Sequence, residues 1–199
     1  MVVGDARTTA RIYPATEPRQ RTLVLAHGAG AGQTHRFLVG LAGALATRGI
    51  DVVTFDFLYV AAGRRAPDRN DKLEACWQAA LALARAEWSG RRPFVGGKSM
   101  GGRIASQLAA AGTDAAGLLL LGYPLHPPKQ PEKLRTAHLS RLTLPTLVLQ
   151  GRRDPFGTPA ELRAHFPASS AIVAVAGGHS YDEEAWPEVE ARAAEFILG

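Results

Sequence analysis

Three residues of this chain have the types and spacing for one chemistry, acyl transfer: a serine at a glycine turn, an aspartate after a strand and a histidine behind two glycines. The serine is Ser99, in Gly97-Lys98-Ser99-Met100-Gly101. A G-x-S-x-G spacing sets serine at the apex of a sharp strand-to-helix turn, whose neighbours must be small because larger side chains would strike the adjoining strand and helix. Phe94-Val95 runs up to the turn, and Ile104, Leu108 and Ala111 follow it at helical spacing. The turn exposes the hydroxyl at a helix N-terminus, where free N–H groups and the dipole favour a developing negative charge. In a chain with 21 glycines the pattern also arises by chance, so its weight depends on its partners.

A serine hydroxyl needs a base, the base needs an acceptor to fix its tautomer, and the oxyanion needs donors already in place. Among six histidines, His179 follows the expected last strand, Ala171–Val175, behind Gly177-Gly178, and is free to reach across a site. His138 and His165 fall in expected surface helices and read as solvated. His27 closes a strand beside a glycine loop and reads as a backbone brace. His35 and His126 are candidate pocket residues. The acid is Asp154, after the strand Leu144–Leu149; Asp154-Pro155 would start a turn in any case, which can hold the carboxylate out. Asp182 lies too close behind His179, and Asp56 follows an earlier strand. For the oxyanion the expected donors are the backbone N–H groups of Met100 and Ala29, with Gly30 as the alternate to Ala29. Gly28, Gly30, Lys98, Tyr123 and His126 are expected to line the pocket. Lys98, Arg103, Arg64, Arg65, Arg152 and Arg153 could favour an anionic substrate there. Nothing in the pattern calls for a metal or a cofactor.

These residues need elements to carry them. Thr8–Tyr13 reads as a short edge strand ended by Pro14. Thr22–Ala26 is an unbroken apolar run, the mark of a strand buried on both faces, and leads into His27-Gly28-Ala29-Gly30-Ala31-Gly32. Phe37, Leu38, Leu41 and Leu45 share a helical face, with Gly49 as C-terminal cap. Asp51–Phe57 is a strand and Leu58–Arg69 a loop. Asn70 or Asp71 caps a long helix, with Glu74 returning the bond, and Leu73, Trp77, Leu81, Ala84 and Trp88 face inward. Ala115–Leu121 is a strand, Glu132 to about Arg141 a helix, and further helices begin near Pro159 and at Trp186-Pro187. Strands alternate with helices about six times, which predicts a doubly wound, mostly parallel sheet of six to seven strands with helices on both faces. Ser99, Asp154, His179 and His27 then gather at one sheet edge.

Composition agrees with this plan. The 199 residues suffice for one domain spanning 1–199, with 1–20 contributing at most a short edge strand. No apolar run approaches the ~20 residues of a membrane span, and the N-terminus shows no signal peptide. Cys76 is the single cysteine, which rules out an internal disulfide and suits the cytoplasm. The net charge is +5, but 19 of the 23 basic residues are arginines scattered as singles and pairs, so nucleic acid is not an expected partner.

Taken together, the chain resembles the α/β-hydrolase superfamily, and most of all its small, cap-less, dienelactone-hydrolase-like members. The resemblance rests on His27-Gly28-Ala29-Gly30, the elbow Gly96–Arg103, the acid loop Gln150–Gly157 and Tyr123-Pro124-Leu125-His126-Pro127-Pro128, and spans about Arg21 to Phe196. It implies an α/β-hydrolase fold, the order Ser99, Asp154, His179 for a triad, and cleavage of a small ester or thioester through an acyl-enzyme on Ser99. Two other functions fit the same residues. One is an acyltransferase with the same triad. The other is an interaction protein that keeps the fold and acts by binding, as some members of the group do.

Overall fold

A strand that is apolar at every position needs cover on both faces, and this chain supplies it with helices on each side. A computed structural model describes residues 1–199. In chain order the elements are β1 (Val2–Val3), β2 (Ala6–Arg7), β3 (Ala10–Tyr13), β4 (Arg21–Ala26), α1 (Arg36–Thr47), β5 (Ile50–Phe55), α2 (Leu58–Ala61), α3 (Asn70–Glu87), β6 (Phe94–Lys98), α4 (Met100–Ala110), β7 (Gly117–Leu121), β8 (Thr146–Gly151), α5 (Pro159–Arg163), β9 (Ala171–Val175) and α6 (Trp186–Leu198). Short 3-10 turns lie at Leu139–Arg141 and Glu183–Ala185.

Seven strands form one sheet in the order β3-β5-β4-β6-β7-β8-β9, while β1 and β2 pair separately. Only β3 runs antiparallel, along β5 from Ala10 opposite Phe55 to Tyr13 opposite Val52. The alternation along each strand splits the core in two. Val24, Ala26, Val53, Phe55, Leu118 and Leu120 pack with Trp77 of α3 and Ile104 of α4 on one face. Leu23, Leu25, Val52, Leu119 and Leu121 pack with Leu41 of α1 and Val189 of α6 on the other. Each such Leu, Val or Phe taken out of water stabilises the fold by about 1.5–3 kcal/mol. From β4 the chain passes through α1 to β5 on one side, then crosses back through α3 to β6 on the other. The connections leaving the carboxyl ends of β4 and β6 therefore part to opposite faces, and open a crevice between them at this switch point.

The structure departs from expectation in four segments. Ahead of the expected edge strand, residues 2–7 form the separate antiparallel pair β1–β2. Residues 58–69 include the four-residue α2. Asn70 and Asp71 are the first helical residues of α3 rather than its cap; Arg69 holds that position without a side-chain cap, and Asn70 instead donates to Gln107 Oε1 at 3.2 Å. The expected helix from Glu132 collapses to the single 3-10 turn at Leu139–Arg141. Its backbone groups find partners elsewhere: the Arg135 N–H donates to the Leu125 carbonyl and the Tyr123 hydroxyl to the Arg135 carbonyl. His138, expected to be solvated, is buried in consequence. The connection between β7 and β8 holds no inserted cap.

Candidate active site

The elbow forms because Gly97, Gly101 and Gly102 let α4 sit directly on the sheet. A Cβ at Gly97 would lie 2.6 Å from the Gly101 carbonyl carbon, and one at Gly101 would lie 2.5 Å from the His27 carbonyl oxygen. Ser99 is left at φ +51° and ψ −115°, a conformation that L-residues adopt at a cost of order 1–3 kcal/mol. Its own N–H donates to the Leu121 carbonyl at 2.9 Å and its carbonyl accepts from Arg103 N–H at 3.0 Å, so the backbone at the apex is pinned on both sides.

A hydrogen-bonded line runs from this serine. His179 Nε2 lies 2.8 Å from Ser99 Oγ, and His179 Nδ1 lies 2.7 Å from Asp154 Oδ2. With Nδ1–H donating to the carboxylate, Nε2 is left as the acceptor of the Ser99 hydroxyl's hydrogen bond. Asp154 is 2% exposed and both its oxygens are engaged: Oδ1 accepts from the Phe156 N–H at 2.9 Å, and Oδ2 also accepts from Gln150 Nε2 at 2.9 Å. The Phe156 ring lies against the His179 imidazole at 4.3 Å between centroids. Gln150, which opens the acid loop in the sequence, also belongs to the site through its side chain, a role the sequence pattern does not assign. It is the penultimate residue of β8, is fully buried, and also ties Tyr123 N–H and the Gly157 carbonyl to the acid loop. The signal available was an amide closing an otherwise apolar strand just ahead of Gly151. The two competing acids do other work. Asp182 pairs with Arg153, and Asp56 accepts from Gln33 N–H and Thr9.

His27 braces backbone as expected. Its Nδ1–H donates to the Gly28 carbonyl at 2.8 Å and its Nε2 accepts from Phe57 N–H at 3.2 Å, while burial holds its pKa below the usual histidine value. This ties the end of β4 to the residues after β5 and sets the Gly28–Gly32 loop against the elbow. A Cβ at Gly28 would lie 3.4 Å from Ser99 Cβ. Met100 is the first residue of α4, so its N–H has no acceptor within the helix, and the Ala29 N–H makes no hydrogen bond either.

Two cavities meet at Ser99, His179 and Ala29. The first, about 410 Å³, is walled by Gly28, Phe37, Leu38, Lys98, Tyr181 and Trp186. The second, about 510 Å³, is walled by Leu73, Met100, Arg103, Pro124, Arg135 and Phe156. His35 lines the first cavity. Three expected pocket residues do not line either one. Gly30 sits on the exposed shoulder of its loop. Tyr123 is buried in the core with its hydroxyl turned to the Arg135 carbonyl. His126 is buried with Nδ1 on the Pro127 carbonyl and Nε2 3.4 Å from Glu161. Lys98 turns its ammonium inward, where it donates to the His179 carbonyl and lies 5.3 Å from the centre of the Tyr181 ring. Burial pulls its pKa down to about 8, against the opposing pull of the Asp154 charge. No group of three or more His, Cys, Asp or Glu is arranged to hold a metal ion, and no helix is long and apolar enough to cross a membrane.

Comparison with known proteins follows the same lines. An alpha/beta serine hydrolase homologue from Coxiella burnetii superposes with a TM-score of 0.76 at 18% identity, covering 98% of each chain. The dienelactone hydrolase of Anabaena variabilis gives 0.79 at 17%, covering 99% of this chain and 94% of that one. A lidless a/b serine hydrolase from Xanthomonas campestris gives 0.72 at 17%, covering 99% and 96%. At such identities the likeness is one of fold. Residues 19–193 also match the sequence profile of the alpha/beta hydrolase domain, and with that match across most of its length the chain belongs to the alpha/beta-hydrolase family.

Proposed function

We propose that the protein is a serine hydrolase that cleaves a small ester or thioester through an acyl-enzyme on Ser99, with His179 as base and Asp154 as its orienting acid. The observation that carries this reading is the unbroken line Ser99 Oγ, His179, Asp154, at 2.8 and 2.7 Å, opening onto both cavities. Ser99 Oγ attacks the substrate carbonyl as His179 Nε2 takes its proton, and the oxyanion is held by the N–H groups of Met100 and Ala29. The imidazolium, stabilised by Asp154, gives that proton to the departing alcohol or thiol. Water then repeats the sequence on the acyl-enzyme, releases the acid and restores Ser99. The same reading takes residues 1–199 as one domain, acting in the cytoplasm.

The test is intact-mass labelling with a fluorophosphonate on the wild type, Ser99→Ala and His179→Ala, followed by a panel of short esters and thioesters. A single adduct on the wild type that both variants lose is expected. Ester turnover should fall about 10⁴- to 10⁶-fold in either variant. A folded wild type that takes no adduct would overturn the hydrolase reading in favour of the interaction protein. Transfer to added alcohols or thiols in preference to water would make the protein an acyltransferase.

A further inference from the structure

The two cavities beside Ser99 differ in charge. In the first, Arg36 is ion-paired with Glu183 and stacks on Trp186, and the Lys98 ammonium is turned to the His179 carbonyl; the rest of that wall carries no further Lys, Arg, Asp or Glu. In the second, Arg103 and Arg135 face the space together with Ser99, Met100 and His179. Neither arginine has a carboxylate partner. The Arg103 guanidinium makes no hydrogen bond within the protein, and Arg135 makes one, from Nη1 to the Pro124 carbonyl at 3.3 Å. The acid on the same wall, Asp68, pairs through Oδ1 with Arg64 at 2.7 Å, and its buried Oδ2 makes no hydrogen bond and contacts neither arginine as an ion pair. Of the other loop cations, Arg153 is paired with Asp182, and Arg65 and Arg152 line neither cavity.

Both arginine backbones are fixed. Arg103 is one turn into α4, its N–H on the Ser99 carbonyl. Arg135 is clamped by Leu125 through its N–H and by the buried Tyr123 hydroxyl, at 2.6 Å, through its carbonyl. Partial burial, and the charge of Arg135 beside it, hold Arg103 below the usual arginine range. Two half-buried like charges with no counterion are unfavourable in the empty protein, and an anion between them would relieve that. Guanidinium forks suit the planar, multi-oxygen geometry of carboxylate and phosphate.

We infer that Arg103 and Arg135 form an anion subsite, so that the preferred substrates are esters or thioesters bearing a carboxylate or phosphate on the side that enters the second cavity, with an uncharged group in the first. This rests on the hydrolase reading for its substrate, though not for its binding site. The test uses pairs of an anionic and an uncharged ester: mono-4-nitrophenyl glutarate against 4-nitrophenyl butyrate, and 4-acetoxybenzoate or 4-acetoxyphenyl phosphate against methyl 4-acetoxybenzoate. In at least one pair kcat/KM should favour the anion by about 10- to 100-fold at low salt, and less as salt is raised. Arg103→Gln and Arg135→Gln should each collapse that ratio toward one without loss of folded protein in a thermal melt. Arg85→Gln removes the same charge from the far end of α3, about 18 Å along the helix from Leu73, and should keep the ratio. A wild-type ratio near one in every pair, or a ratio that survives both variants, would overturn the subsite. Glutarate and inorganic phosphate titrated into Ser99→Ala read it without turnover. Binding that disappears in Ser99→Ala/Arg103→Gln supports it, and the tighter anion identifies the group; no binding of either overturns it. Absence of all ester turnover with anion binding intact would count against the hydrolase reading alone.

Discussion

Lys98 carries the sharpest conflict in the molecule, a buried ammonium with no carboxylate in hydrogen-bonding contact. Gly122 makes room for it: a Cβ there would lie 2.7 Å from Nζ. Its folded pKa of about 8 lies below the ordinary 10.5. Between those values the unfolded chain binds the extra proton, so stability attributable to Lys98 rises as pH climbs from about 8 to 10.5; below 8 the desolvation cost is present in full, about 3 kcal/mol by the same shift. Activity should run the other way, because the charge-assisted bond to the His179 carbonyl weakens once the amine is neutral. The expected outcome is that kcat falls above about pH 8 while the melting temperature, relative to Lys98→Met, rises. At pH 7 Lys98→Met should melt a few degrees higher and turn over about tenfold more slowly, with no alkaline limb of its own. Calorimetry and a pH-rate profile on both proteins check this; stability and activity falling together above pH 8 would contradict it. Ser99, Asp154 and His179 were readable from sequence because each is a residue of narrow chemistry at the end of an apolar run. Gln150, Arg135 and the inward turn of Lys98 were not, because an amide or a long cation takes its role from whatever folds against it.

Elements were legible to the degree that their own residues settle their structure. The strands from β4 to β9 and the helices α1, α3, α4 and α6 are written in apolar periodicity, and Trp186-Pro187 marks the start of α6. The segment from Gly122 to Pro145 is different, since its order comes from partners distant in sequence. His138 is one of its anchors. Ser106 Oγ gives its only hydrogen to the Arg103 carbonyl at 2.7 Å, so at the 2.7 Å contact with His138 Nε2 the ring is the donor. Burial, together with the charges of Arg103 and Arg141, pushes the His138 pKa down to about 4. Between the ordinary histidine value of 6.5 and about 4 the unfolded chain takes up a proton that the folded chain refuses, so stability is lost as pH falls through that window, by up to about 3 kcal/mol. His138→Gln, whose amide can still donate to Ser106, should melt within a few degrees of the wild type at pH 7 and lose about 5–10 °C less than it between pH 6.5 and 4.5. Thermal melts across that range decide it; parallel curves for the two proteins would show that His138 does not couple the loop to α4.

At the scale of the whole molecule the determining feature is a sheet whose carboxyl edge, where the candidate site lies, is left uncovered. The crossing from β5 back to β6 opens the crevice, and the connections after β7 and β8 run past it without an insertion to close over it. The two cavities of about 410 and 510 Å³ therefore open directly to solvent. A lid that opens on a lipid surface is what would couple turnover to aggregation of the substrate, and this chain has no segment to serve as one. A short acyl chain fits within either cavity. Each methylene that extends past the rim stays in water and forgoes about 0.8 kcal/mol of transfer free energy, so lengthening the chain gains no binding and adds the cost of ordering it. The expected profile across 4-nitrophenyl esters is a maximum at two to four acyl carbons and a fall of about tenfold or more in kcat/KM by sixteen, with rates that rise smoothly through the concentration at which the ester forms micelles. A sudden rise at that concentration, or faster cleavage of the long chain, would mean that the exposed edge is covered in solution by something that moves.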